Sequence, residues 1–294
     1  VPLATIGSIF LCLGIYVLLQ LSFLTSMTPE NLAHGWANLC LVGSNSPIAG
    51  LLNQDRLTWL NSFLYAGAVI APMAAAIMYC AVSARSLYAI SKIGYAPKIF
   101  EKLSPSGNPK SAIILNFFLS LCFFAPFPGW ASIATFLTSL LALTYALGPV
   151  CLLALRKQVP DLHRPFKLPL GTLWSLVAFY ICTLLTYWSG WPILWKTSLL
   201  LVMGYVFFLS YYAIFGRHRG DSLDFKASLW VWIYIFGVAL ISYFGNFQGT
   251  GQISDLLVYF LLFLVSGLSL FASTYFCVSP EKAKQHIQDL NLNL

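Results

Sequence analysis

The chain has 294 residues, of which 59% are hydrophobic and only 9% charged, with a formal net charge of +7. Its apolar residues come in blocks of about twenty, the length a helix needs to cross a bilayer, so the fold class is an all-α polytopic membrane protein. The basic residues sit in particular loops between these blocks, which excludes a nucleic-acid-binding reading of the positive charge.

The seven cysteines form no CxxC pair and all but Cys40 lie inside apolar blocks, so they read as small hydrophobes rather than a disulfide framework. His34, His163, His218 and His286 fall in separate loops, which predicts no metal site, and no cofactor is expected.

The chain opens Val1-Pro2-Leu3-Ala4-Thr5 and enters an apolar block at once, without a basic n-region or a small-residue cleavage site. It does not read as a signal peptide; it reads as a protein cut at a loop, with something expected before it. The first predicted span is Leu3–Phe23. Between Thr25 and Thr58, Thr28-Pro29-Glu30 and Ser46-Pro47 place a capping hydroxyl before a proline, predicting short helices over Pro29–Leu39 and Pro47–Asn53. Trp59–Lys92 is a long helix in which Gly67, Ala71 and Ala75 repeat at four-residue spacing, a face that lets another helix come close. The chain then turns at Gly94, restarts at Pro97 as a short amphipathic helix to Leu103, and turns again at Ser106-Gly107-Asn108-Pro109. Further spans are expected at 111–126, 130–155, 172–188, 193–215, 228–244 and 254–277, which makes eight in all.

Of the 16 Lys and Arg residues, all but Arg56 and Lys196 fall on one side of this eight-span arrangement. The positive-inside rule then puts both termini in the cytoplasm and the 27–58 hairpin outside, in a multi-pass protein of the inner (cytoplasmic) membrane. Trp59, Trp130, Trp188, Trp191 and Trp195 fall at the outer interface, and Trp174, Trp230 and Trp232 at the inner one.

No Asp, Glu, Lys or His sits mid-span, so there is no buried nucleophile, base or haem ligand set, and an enzyme is not expected. What the spans offer is neutral polarity: Asn61 and Tyr65 on the long helix, and Thr135, Thr138, Ser139 and Tyr145 on the 130–155 span. Thr138 and Tyr145 are seven residues apart and share a helix face, with Ser139 and Thr135 flanking it. These hydroxyls either bond back to their own helix carbonyls or across a packed interface, or they line a pathway, and both readings stay open. Arg85 at the inner end of the long helix is likewise an interfacial anchor or a cytoplasmic gate contact. With Tyr88, Gly94 and Pro97 it forms a candidate cytoplasmic loop motif.

Ser83-Ala84-Arg85-Ser86-Leu87-Tyr88-Ala89-Ile90-Ser91-Lys92-Ile93-Gly94-Tyr95-Ala96-Pro97-Lys98 resembles the eighth helix and following loop of the amino acid/polyamine/organocation permeases. Val1-Pro2-Leu3-Ala4 is similar to the start of that family's seventh helix, Ser139–Pro149 resembles its tenth, and His163-Arg164-Pro165-Phe166-Lys167-Leu168-Pro169 resembles the RPF-containing loop before its eleventh. The resemblance covers 1–215 as a permease C-terminal core. It leaves 216–277 as the additional helix pair of fourteen-helix members and 278–294 as a cytoplasmic tail.

The resemblance implies a LeuT-like inverted-repeat fold, of which this chain carries most of the second repeat but not the first and sixth helices that grip substrate. It implies transport of amino acids or related organic cations by alternating access, proton-coupled or by exchange, as part of a larger permease. The partners are then the lipid bilayer, an amino acid or amine, and the missing N-terminal helices in cis or in trans. Ala74-Ala75-Ala76, where relatives carry hydroxyls, argues against sodium coupling. The other expectation is a non-transporting remnant, or a membrane subunit that needs a partner.

Overall fold

The computed structural model describes residues 2–32, 47–54, 57–92, 94–124, 129–161, 163–164, 166–215 and 225–284. Among these every long element is a helix: α1 (Pro2–Thr25), α2 (Pro47–Gln54), α3 (Leu60–Lys92), α4 (Lys110–Phe124), α5 (Trp130–Gln158), α6 (Gly171–Tyr187), α7 (Trp191–Phe215), α8 (Leu229–Phe244) and α9 (Asp255–Tyr275). Six segments, at α1, α3, α5, α7, α8 and α9, are long and apolar enough to cross a membrane, and α4 and α6 are shorter apolar helices. In hydrocarbon each backbone N–H and C=O must be satisfied within the segment, which is why uncharged blocks of this length become helices.

Most expected boundaries lie close to the observed ones, and two differ. The segment after Pro97 is a single 3-10 turn, Lys98–Glu101, rather than a helix to Leu103. The first hairpin helix is a 3-10 turn at Pro29–Leu32, and the rest of that expected helix lies outside the described residues, as does Cys40.

The chain divides into two compact units, Val1–Arg85 and Ser86–Leu294. In the first, α1 and α3 expose their side chains along most of their lengths. Asn61 and Asn53 join α3 to α2.

In the second unit α5 packs on α6 and α7, α8 packs on α9, and α9 returns against α5 and α6. The core is built from Phe179, Tyr187, Tyr234, Val238, Val258 and Leu262. Phe179 lies edge-on to Tyr234 at 5.0 Å between ring centroids, a favourable quadrupole arrangement. Lipid tails are as apolar as these side chains, so helix association here rests on packing and on interhelical hydrogen bonds. Such links include Ser266 Oγ, which donates to Thr183 Oγ1 at 3.0 Å, and Tyr234 OH, which donates to Thr186 Oγ1 at 3.4 Å. Gly237 allows α8 to meet α9 closely, because a Cβ there would stand 2.9 Å from Val265 Cγ1.

Candidate functional site

The best-defined feature around the expected site residues is the elbow after α3. Gly94 N–H donates to the Ser91 carbonyl at 2.8 Å and Tyr95 N–H to the Ile90 carbonyl at 3.0 Å. These are the two bonds of a Schellman stop, and Gly94 at φ +92° takes the position whose backbone disfavours a Cβ. Fully buried Ser91 then crosses the turn, its Oγ donating to the Pro97 carbonyl at 2.7 Å. Tyr211 of α7 donates its OH to the Ala96 carbonyl at 2.9 Å, and Tyr95 packs on Phe208 of α7 at 5.9 Å. The elbow is therefore pinned to α7. Of the expected motif, Gly94 and Pro97 lie in this turn, Tyr88 is half-buried one turn before it, and Arg85 is exposed.

The α5 hydroxyls divide between two faces. Phe136, Ser139, Ala142, Ala146 and Val150 form the packed face, and Ser139 Oγ lies 3.2 Å from Thr197 Oγ1 of α7. Thr138 and Tyr145 are on the exposed face, with Tyr145 at 66%. Thr138 donates back to the Ala134 carbonyl at 2.9 Å, which leaves its oxygen lone pairs as acceptors. Thr135 is half-buried between the two faces. The structure thus joins Thr138 with Tyr145 and sends Ser139 to a helix seam.

At the N-terminal end of α3, Asn61 Nδ2 donates to Asn53 Oδ1 at 2.6 Å, while Asn61 Oδ1 is buried without a partner. Tyr65, one turn further on, is exposed.

A third site of order is the turn between α5 and α6. Arg164 donates to the carbonyls of Val159 at 2.7 Å, Leu155 at 3.0 Å and Pro160 at 3.2 Å, capping the C-terminal end of α5. Arg156 Nη2 donates to the Leu168 carbonyl at 2.9 Å, and its guanidinium lies where a Cβ on Gly171 would be. The arginines of this loop hold backbone carbonyls at the end of α5 and before α6. Sequence reasoning missed Ser91, Thr197 and Tyr211. The signal available was a hydroxyl in an otherwise apolar span, the same cue used for α5. Among the described residues no group of three His, Cys, Asp or Glu could hold a metal ion.

Residues 1–209 match the amino acid permease family. The chain belongs to that family. The family is one of transport proteins, not enzymes, and residues 1–209 take in α1 to α6 and most of α7, including the pinned elbow and the two-faced α5. The chain is similar to the glutamate/serine transporter AimA of Bacillus subtilis, at 33% identity over 84% of this chain and 45% of that protein. It is also similar to the aspartate-proton symporter of the same organism, at 30% identity over 87% of this chain and 49% of that one. A probable polyamine transporter of Arabidopsis thaliana is 27% identical over 58% of this chain and 34% of its own length. The chain thus spans a little under half the length of the two bacterial relatives. No solved structure matches.

Proposed function

We propose that this chain forms the C-terminal portion of a permease that moves amino acids across a membrane by alternating access, with proton coupling or exchange. The observation that carries the reading is the permease match over residues 1–209, supported by relatives named for glutamate, serine and aspartate transport. On this reading α4 and α6 join the six longer helices to make eight spans of a LeuT-like inverted repeat. Both termini are cytoplasmic, in the inner membrane, as the positions of Lys and Arg support.

Asn61 and Tyr65 on α3, and Thr135, Thr138 and Tyr145 on α5, supply the polar lining of the pathway, while Ser139 holds α5 to α7. Arg85, Tyr88, Gly94 and Pro97 form the cytoplasmic end, where α7 steadies the elbow. The N-terminal helices, in cis or in trans, cover α1 and α3. Gly67 supports this, since a Cβ there would meet nothing within 4 Å.

The test is reconstitution of the full-length protein in liposomes with labelled glutamate, aspartate and serine. Uptake that rises with an inward proton gradient, or with unlabelled substrate inside, is the expected result. No uptake and no exchange of any of the three overturns the reading. Recovery of a second membrane polypeptide with the chain would place the missing helices in trans.

A further inference from the structure

A groove of about 280 Å³ opens between the 3-10 turn Phe225–Ser228, which precedes α8, and the segment that follows α9. Lys226 and Lys282 line it with Tyr275, Phe276 and Ser279, and no described carboxylate does. A third ammonium flanks it. Lys157, at the end of α5, donates to the Thr274 carbonyl at 2.7 Å and stands 6.0 Å from the ring centre of Tyr275. Among the described acids, Asp161 is 3.8 Å from Lys284 and Glu281 is not part of the lining. Lys282 has a partner of its own, which an arriving phosphate would share or replace.

The apolar side of the groove continues along α9. Phe271 stacks on Tyr275 with centroids 5.7 Å apart, both are 64% exposed, and Leu268 is exposed on the same face. Cations at the end of a membrane-spanning hairpin, next to an aromatic strip running into the hydrocarbon, match an amphiphile with an anionic head. A soluble anion would use the lysines but not the strip.

We propose that this groove binds the phosphate headgroup of an anionic membrane lipid, with the acyl chains lying along Phe271 and Leu268. Lysine suits the role, being a compact point charge that attracts phosphate without fixed geometry. Tyr275 marks the level of the headgroups, where aromatic residues with one wet edge collect. The orientation proposed above would place this lipid in the cytoplasmic leaflet, and the site rests on that reading in this respect alone. The lysines and the strip do not depend on transport.

Native mass spectrometry of the full-length protein in detergent, offered phosphatidylglycerol and phosphatidylcholine of matched chains at equal concentration, tests it. Phosphatidylglycerol should be retained about tenfold over phosphatidylcholine, and Lys226→Gln with Lys282→Gln should lower that retention about tenfold, from a contribution of several-fold per lysine. Lys226→Arg with Lys282→Arg should preserve it, and Lys98→Gln with Lys102→Gln, two exposed lysines elsewhere, should leave it unchanged. Should the Gln pair fail to fold, Lys226→Gln alone, at an exposed position, is expected to lower retention several-fold.

Unchanged retention in the Gln variants overturns the proposal, and so does an equal loss in the Lys98 and Lys102 variant. Displacement of phosphatidylglycerol by equimolar inorganic phosphate would make this a soluble-anion site and also overturns it. Lipid retention is read without any transport assay, so failure here and failure of the permease reading are separate results.

Discussion

Helices α3 and α9 look alike in sequence, each long and apolar enough to cross a membrane and with small residues placed to form a narrow face. Their surroundings differ: none of the apolar stretch of α3 is buried within the structure, against 39% of that of α9. The small residues of α3 are Gly67, Ala71 and Ala75, which permit approach but offer no bond. Those of α9 are Ser266, Ser269 and Ser273, and Ser266 meets Thr183 across the seam with α6. A small-residue face sets how near a partner can come, and a hydroxyl or a matching side chain on the other helix determines which partner it is.

The sharpest way to break this comparison is to enlarge one glycine on each side of it. Gly237→Val drives atoms into Val265, and overpacking of this kind costs about 1–3 kcal/mol. Gly67→Val enters open space. Thermal unfolding of the full-length protein in detergent should show a clear loss for Gly237→Val. For Gly67→Val, the open space around α3 within these residues predicts no loss, whereas the proposed cover of N-terminal helices predicts an early melt. If Gly67→Val keeps its melting temperature yet abolishes uptake, the α3 face meets a moving element in the working carrier. If both variants melt early, α3 is a packed helix in the full protein, and the contrast with α9 disappears.

A smaller effect is expected at the elbow. Tyr211→Phe removes the donor to the Ala96 carbonyl, leaving a buried acceptor with the longer 3.4 Å contact from Ser91 Oγ, a loss of about 1 kcal/mol. The measurement that separates positioning from plain stability is uptake against substrate concentration. A loosened elbow lowers the maximal rate with the apparent affinity kept, whereas an equal fall in both, tracking melting temperature, would make Tyr211 merely structural.

Much of the scaffold was legible because membrane helices obey few rules. Uncharged length marks each span, Gly94 and the Pro109 turn mark where helices stop and restart, and both observations need only local sequence. Which of Thr138 and Ser139 takes the seam was not legible, since they are adjacent hydroxyls and only the packing of Phe136, Ala142 and Ala146 decides which one points inward. Tyr211 was hidden for a related reason. It bonds the Ala96 carbonyl across 115 positions of chain, and no local pattern carries a contact of that range. The expected helix after Pro97 shortened to one turn because Tyr211, Ser91 and the backbone of Phe100 already take up the carbonyls of Ala96 and Pro97.

The finest test concerns the hydroxyl pair itself. Thr183 Oγ1 donates to the Phe179 carbonyl at 2.8 Å and accepts from Ser266 Oγ, which also reaches the Leu262 carbonyl at 2.8 Å. Each hydroxyl thus has a bond within its own helix to fall back on, so the interhelical link should couple weakly, by about 0.6 kcal/mol, typical of such bonds in membranes. Thr183→Val, Ser266→Ala and the double variant form a cycle, read by unfolding in detergent, in which a coupling near this value supports the hydroxyls as the feature that selects α6 for α9. Strict additivity would leave the pairing of these helices to shape alone, with Gly237 against Val265 as its chief determinant, and the difference between α3 and α9 would then be one of fit rather than of bonding.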